Sequence, residues 1–214
     1  MILTRAQIPY DVVARSWKDN GFRDSYAWHK RIWEAFPGQP EAERSFLSRL
    51  DDTGQGFRLL ILSEDPPTRP DWCPTDSWQS KTVSDSFFRH TTYQFSLLAN
   101  PTRKQVVRNK DGTRKKNGQR IALRKREDLI RWMERKADIH GFTVESGSLR
   151  TIPRPRQQFL KGKKSGTHTA TEFTGTLHVR DPDKFYQAAT KGIGTAKAFG
   201  FGMLCLEPLT NQTI

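Results

Sequence analysis

Residues 1–8 (MILTRAQI) alternate apolar and polar side chains, the period of a strand with one buried face, and Pro9 closes the run. A polar stretch leads to Asp24 and Ser25, either of which suits the N-cap of a helix over residues 26–36 that Pro37-Gly38 then stops. On the inward face of that helix Trp28 sits at the centre, with Ile32, Ala35 and Phe36 beside it at helical spacing. Residues 41–50 predict a second helix, with Phe46, Leu47 and Leu50 at core spacing. FRLLIL at 57–62 predicts a buried strand, followed by the Pro-rich loop 66–70 and a further strand within 78–88.

A second set of elements begins at residues 91–99 (TTYQFSLLA), an alternating strand closed by Asn100-Pro101. The chain is intensely basic over 103–126, where Asp111-Gly112 marks a turn. Residues 127–138 predict an amphipathic helix with Leu129, Ile130, Trp132 and Met133 as its apolar positions. Residues 142–152 read as extended, and 158–179 as a hairpin whose turn is 161–166. A helix over 181–191, a glycine-rich loop and a last strand over 203–208 complete the order. These orders predict an α+β fold of tandem ferredoxin-like (RRM-like) units. An N-terminal domain would span 1–90, and a C-terminal domain 91–214 would carry the basic hairpin and the glycine loop.

A length of 214 residues suits one large domain or two small ones, and either buries a core. Charge changes the picture more. Thirty-six Lys and Arg against 23 Asp and Glu give a net +13, and the positive residues cluster, which points to a polyanionic partner. The clusters are Arg103-Lys104 through Lys110 to Lys116, then Arg120 with Arg124, Lys125 and Arg126, then Arg154, Arg156, Lys161, Lys163 and Lys164. They read as one binding surface or, most readily at 108–118, as solubilising loops. Two cysteines far apart, Cys73 and Cys205, form neither a disulfide framework nor a metal pair, and the five histidines lack zinc spacing. No signal peptide or membrane span is legible, so the expectation is a cytoplasmic protein with no metal and no cofactor.

The loop GIGTAKAFGFG at 192–202 holds Gly192, Gly194, Gly200, Gly202 and Lys197. It follows a helix and precedes a strand, the reverse of a dinucleotide-binding turn. It is either a tight connector packed on a sheet or a loop whose N–H groups and Lys197 meet phosphate. For catalysis the first helix is the best place: Tyr26 and His29, three residues apart, share a face beside the apolar stripe. A histidine there is able to exchange a proton with a ribose 2′-OH or a leaving 5′-oxygen. The same pair also fits a structural role. His90, His140, His168 and His178 are read as structural or surface residues.

Particular stretches carry a resemblance: MILTRA, Tyr26-Ala27-Trp28-His29 leading to Phe36-Pro37, LLANPTRK at 97–104, IRWMERK at 130–136 and GIGTAKAFGFGMLCLEPL. Over nearly its whole length the chain resembles the CasE (Cse3) family of repeat-RNA endoribonucleases of type I-E CRISPR systems. That resemblance implies tandem ferredoxin-like domains and metal-independent cleavage of CRISPR precursor RNA at the base of the repeat hairpin. The 2′-OH would attack the adjacent phosphate, leaving a cyclic phosphate and a 5′-OH. It further implies that His29 is catalytic, that Tyr26 helps it, and that the product stays bound within the Cascade complex alongside its other subunits. Some members place a lysine a turn after the histidine; here Lys30, Arg31 or a residue from elsewhere would supply that cation. The glycine loop would help hold RNA. A non-catalytic hairpin-binding subunit of the same complex is the alternative, and a ribosome-associated basic protein a more remote one.

Overall fold

The computed structural model describes residues 1–16, 21–38, 44–109, 111–114, 118–162 and 164–209. Its first sheet is built from β1 (Ile2–Pro9), β2 (Phe46–Asp52), β3 (Gly56–Ser63) and β4 (Gln79–Thr82), in the antiparallel order β2-β3-β1-β4. In β1 the alternation read from the sequence is realised: Thr4, Ala6 and Ile8 are buried, while Arg5 and Gln7 are exposed. A short helix α1 (Tyr10–Arg15) follows β1, and α2 (Ser25–Trp33) lays Trp28 and Ile32 on the sheet. Ala35 and Phe36, just past the end of α2, join the same core.

The helix expected over 41–50 is instead the strand β2; residues 41–43 lie outside the described residues. Its pairing with β3 runs from Phe46 opposite Ser63 to Asp52 opposite Phe57. A turn closes the hairpin: Thr53 N–H donates to the Gly56 carbonyl at 2.9 Å, and Gly54 adopts φ 80°. Both faces of β2 are covered, which erases the period-two signal. Phe46 stacks on Phe36 at 4.4 Å between centroids, whereas Leu47 turns the other way to meet Leu62 and Met203. The strand expected within 78–88 is limited to β4, and Asp85–Arg89 forms a 3₁₀ turn capped by Ser84, which accepts from Ser86 N–H.

The second sheet contains β5 (Thr92–Ala99), with β6 (Thr102–Gln105) and β7 (Gln119–Ala122) forming a separate two-stranded ribbon. The chain continues through α3 (Arg126–Ile139), β8 (Phe142–Val144), β9 (Arg150–Lys161), β10 (Lys164–Val179), α4 (Pro182–Lys191) and β11 (Leu204–Pro208). The order is β11-β5-β10-β8, with β9 also paired to β10. The extended stretch expected over 142–152 is therefore interrupted: Glu145 to Leu149 turn between β8 and β9. Leu129, Trp132, Met133 and Ala137 of α3 and Phe185 and Ala188 of α4 bury against this sheet. The whole is an α+β fold of the tandem ferredoxin-like kind.

The two sheets are tied by an apolar contact and a charged one. Leu47 and Leu62 of the first pack on Met203, just before β11. Beside them Arg49 of β2 reaches across, donating from one Nη to Ser96 of β5 at 2.6 Å and from the other to Glu172 of β10 at 2.7 Å. Glu172 also accepts from Ser96 and from Arg154 of β9. Burial alone would raise the Glu172 pKa, but the hydrogen bonds from Ser96, Arg49 and Arg154 outweigh it and hold the carboxyl down to about 2.

Candidate active site

The first turn of α2 is fixed by Asp24, whose Oδ1 accepts from Tyr26 N–H and Ala27 N–H at 2.9 Å each. One side of the helix then presents Tyr26, His29 and Trp33, spaced three and four apart. The Trp33 indole N–H donates to His29 Nε2 at 3.2 Å, an arrangement that puts the proton of a neutral ring on Nδ1. The half-buried imidazole lies 6.3 Å from the Tyr26 ring, 6.2 Å from Trp33 and 6.2 Å from Phe199, between centroids.

His29 and Trp33 form one wall of a cleft of about 710 Å³. Arg44 and Phe46, at the entry to β2, form the second wall; Lys191 at the end of α4 and Lys197 in the glycine loop form the third. None of the described residues lining it is a carboxylate. Lys197 Nζ donates to the Lys191 carbonyl at 2.7 Å, and Lys191 Nζ pairs with Glu64 at 2.5 Å. Burial, then the charges of Arg44 and Lys136, push the Lys197 pKa down. This is a basic crevice with an imidazole on its rim.

Aromatic stacking brings the long hairpin to the same place. Phe199 packs on Phe159 of β9 at 5.1 Å and on His168 of β10 at 4.8 Å, and Ser25 Oγ donates to the Gln158 carbonyl at 2.9 Å. His168 is held in this stack, its Nδ1 accepting from the Asn100 amide at 3.1 Å.

The remaining expected site residues fall in different places. Lys30 is exposed, with its Nζ 5.6 Å from the Tyr26 ring centroid, and does not line the cleft. Arg31 points away, pairing with Glu34 at 3.1 Å and covering the Phe22 ring at 5.6 Å. Arg103 and Lys104 are exposed on β6, and Arg124 and Lys125 are exposed just before α3. Arg156 is exposed on β9; Arg154 has its guanidinium committed to Glu172. Lys163 lies outside the described residues, as do the side chains of Lys161 and Lys164.

The glycine loop corrects one expectation. The N–H groups of Gly192, Gly200 and Gly202 donate to the carbonyls of Ala188, Lys197 and Leu98, so they are not aimed at a phosphate. Glycine is required here for close packing. Gly192 (φ 77°) would place a Cβ 2.8 Å from Leu47 Cδ2, and Gly202 (φ 88°) would place one 2.6 Å from the Ile193 carbonyl oxygen. Gly202→Ala is expected to cost about 2 kcal/mol, seen as a melting temperature roughly 4–8 °C lower. Gly194 and Gly200 also have positive φ, and so does Ala196, at 62°.

Two cleft residues, Arg44 and Trp33, and Phe199, which packs on His29 beside the cleft, carry no clear signal in the sequence. Arg44 falls within the stretch expected to be helical, and Phe199 stands out only as part of the glycine loop. The i,i+4 spacing of His29 and Trp33 is the one available clue. Among the described residues no group of three or more His, Cys, Asp or Glu is placed to hold a metal ion, and no helix is long and apolar enough to cross a membrane.

A tandem ferredoxin-like fold with an imidazole beside a basic cleft leaves more than one class of protein open, and comparison with known proteins narrows the choice. Residues 1–208 match the model of the CRISPR associated protein family. The chain is 29% identical over 202 residues to the CRISPR system Cascade subunit CasE of Escherichia coli K12, covering 92% of this chain and 97% of that one. It is 24% identical over 198 residues to the CRISPR-associated endoribonuclease Cse3 of Thermus thermophilus, covering 86% and 90%. The crystal structure of Cas6e from E. coli K-12 superposes with a TM-score of 0.74 at 25% identity, covering 98% of this chain and all of that one. The chain belongs to the CRISPR associated protein family, in its CasE (Cse3) branch of type I-E systems.

Proposed function

We propose that this protein is an endoribonuclease that cuts CRISPR precursor RNA at the base of the repeat hairpin without a metal ion, then keeps the product as a Cascade subunit. The observation that carries this reading is the placement of His29 on the wall of a cleft whose other walls bring Arg44, Lys191 and Lys197 and no described carboxylate. The names of the relatives, an endoribonuclease and a Cascade subunit, support it.

The chemistry follows from the residues. A backbone kinked into the cleft places a 2′-OH in line with the adjacent phosphorus, a positioning effect worth several orders of magnitude. The 2′-oxygen bonds to phosphorus as its proton passes to a base, the P–O5′ bond breaks, and the 5′-oxygen takes up a proton. A 2′,3′-cyclic phosphate and a 5′-OH result. His29 exchanges the proton, and taking it at Nε2 requires the RNA to displace the Trp33 N–H. Tyr26 orients the junction. The A-form stem is read by shape and backbone along the exposed cations Arg103, Lys104, Arg124, Lys125 and Arg156 and the hairpin Lys161, Lys163 and Lys164. The units 1–90 and 91–214 would then each supply one side of the RNA-binding groove.

The test is incubation of the purified protein with a repeat hairpin RNA in excess chelator. The expected result is a single cut at the stem base with cyclic-phosphate and 5′-OH ends, and no cut when the scissile ribose lacks its 2′-OH. Cutting that requires added metal, or that persists on the 2′-deoxy RNA, overturns the reading.

A further inference from the structure

A phosphoryl transfer in this cleft builds negative charge on the two non-bridging oxygens, and some cation must meet it. The cations nearest His29 in sequence do not: Lys30 leans over Tyr26 outside the cleft, and Arg31 is spent on Glu34 and Phe22. Among the cleft cations, Lys191 is paired with Glu64 and Lys197 donates to the Lys191 carbonyl. Arg44 differs from all of these. Its Nε is buried and has no hydrogen-bond partner, and its guanidinium forms no ion pair among the described residues. What it does meet is the face of Phe46, 6.0 Å from the guanidinium carbon.

A buried Nε on a half-exposed arginine at a cleft wall, with no acceptor among the described residues, is an incomplete arrangement, because a buried donor normally finds a partner. Burial pushes the Arg44 pKa down, and Arg44 in turn depresses that of Lys197. Two cations that oppose each other with no described carboxylate between them favour an anion in the space they share. A guanidinium holds a phosphate through paired N–H donors in a fixed plane, and here its carbon lies over the Phe46 ring.

We propose that Arg44 donates to a non-bridging oxygen of the scissile phosphodiester and stabilises the charge that develops there during cleavage. This rests on the ribonuclease reading of the cleft. No bond to Arg44 forms or breaks: the 2′-oxygen displaces the 5′-oxygen at phosphorus, and Arg44 strengthens its hydrogen bonds as the oxygen gains charge.

The experiment is a cycle between Arg44→Ala and single phosphorothioate diastereomers at the scissile phosphate, read as single-turnover rates at saturating hairpin RNA. Arg44→Ala is expected to slow the all-oxygen RNA by about 10²–10³-fold, with affinity for the 2′-deoxy hairpin within about fivefold. Arg44→Lys should recover part of the rate. One diastereomer should slow the wild-type protein at least about tenfold yet add little to the defect of Arg44→Ala, because both changes remove the same contact. Arg44→Ala within about threefold of wild type, or additive thio and mutant effects for both diastereomers, overturns the inference and leaves the ribonuclease reading intact. A wild-type protein that cuts no hairpin RNA removes that reading itself. Should Arg44→Ala fold poorly, Arg44→Gln, which keeps length and polarity, gives the same cycle.

Discussion

His29→Ala is expected to slow single-turnover cleavage of the repeat hairpin by roughly 10²–10⁴-fold, the usual contribution of a positioned general acid–base group. Affinity for the same hairpin should change by no more than a few-fold. The split follows from geometry. The imidazole sits on the cleft wall, held by the Trp33 N–H at 3.2 Å and by ring contacts with Tyr26 and Phe199. The exposed cations of β6, β9 and the approach to α3 are not among the residues lining the cleft. Phosphate contacts supply most of the affinity and do not depend on one imidazole ring. Equal losses in rate and affinity would make His29 a binding residue, and an unchanged rate would remove it from the chemistry. The 2′-deoxy hairpin serves as the binding probe in both proteins, since neither cuts it.

The second large effect concerns the joint between the sheets. Glu172→Gln keeps the shape of the side chain but removes the charge that Arg49 and Arg154 share. Arg49 is almost wholly buried, so losing its nearest carboxylate leaves a desolvated cation with Asp51 alone, 2.9 Å away. Breaking a buried pair in this way costs about 3–5 kcal/mol; the Asp51 contact places the expected loss near about 3 kcal/mol, read by thermal or denaturant unfolding at pH 7. The pH dependence has a definite sign. The folded-state pKa of Glu172, about 2, lies below its ordinary 4.5, so its contribution is complete above pH 4.5 and fades as pH falls toward 2. The gap between wild type and Glu172→Gln should therefore close with acidification. A gap that stays constant down to pH 2 would show that the Glu172 pKa does not differ between the folded and unfolded protein.

Elements with a single exposed face are legible in the sequence. In β1, α3 and α4 the buried positions recur at the period of the element, and the observed bounds lie within two residues of those expected. β2 is not legible, because Phe46 and Leu47 are buried on opposite faces and Arg49 stands where a helix stripe would place a solvated residue. The error has a functional cost, since it hides Arg44 at the mouth of that strand. Tyr26 and His29 are visible because helix spacing places two such residues on one face whatever the fold does. The far walls of the cleft depend on contacts between residues near 45 and near 195, and no local pattern reports a separation of that size. The same holds for the Arg49–Glu172 link, which joins positions 123 residues apart.

The cleft also has a birth order. His29 leaves the ribosome early, but Lys191 and Lys197 are made long after it, and Gly202 must reach Leu98 before their loop closes. A nascent or prematurely terminated chain thus carries the imidazole without its opposing wall.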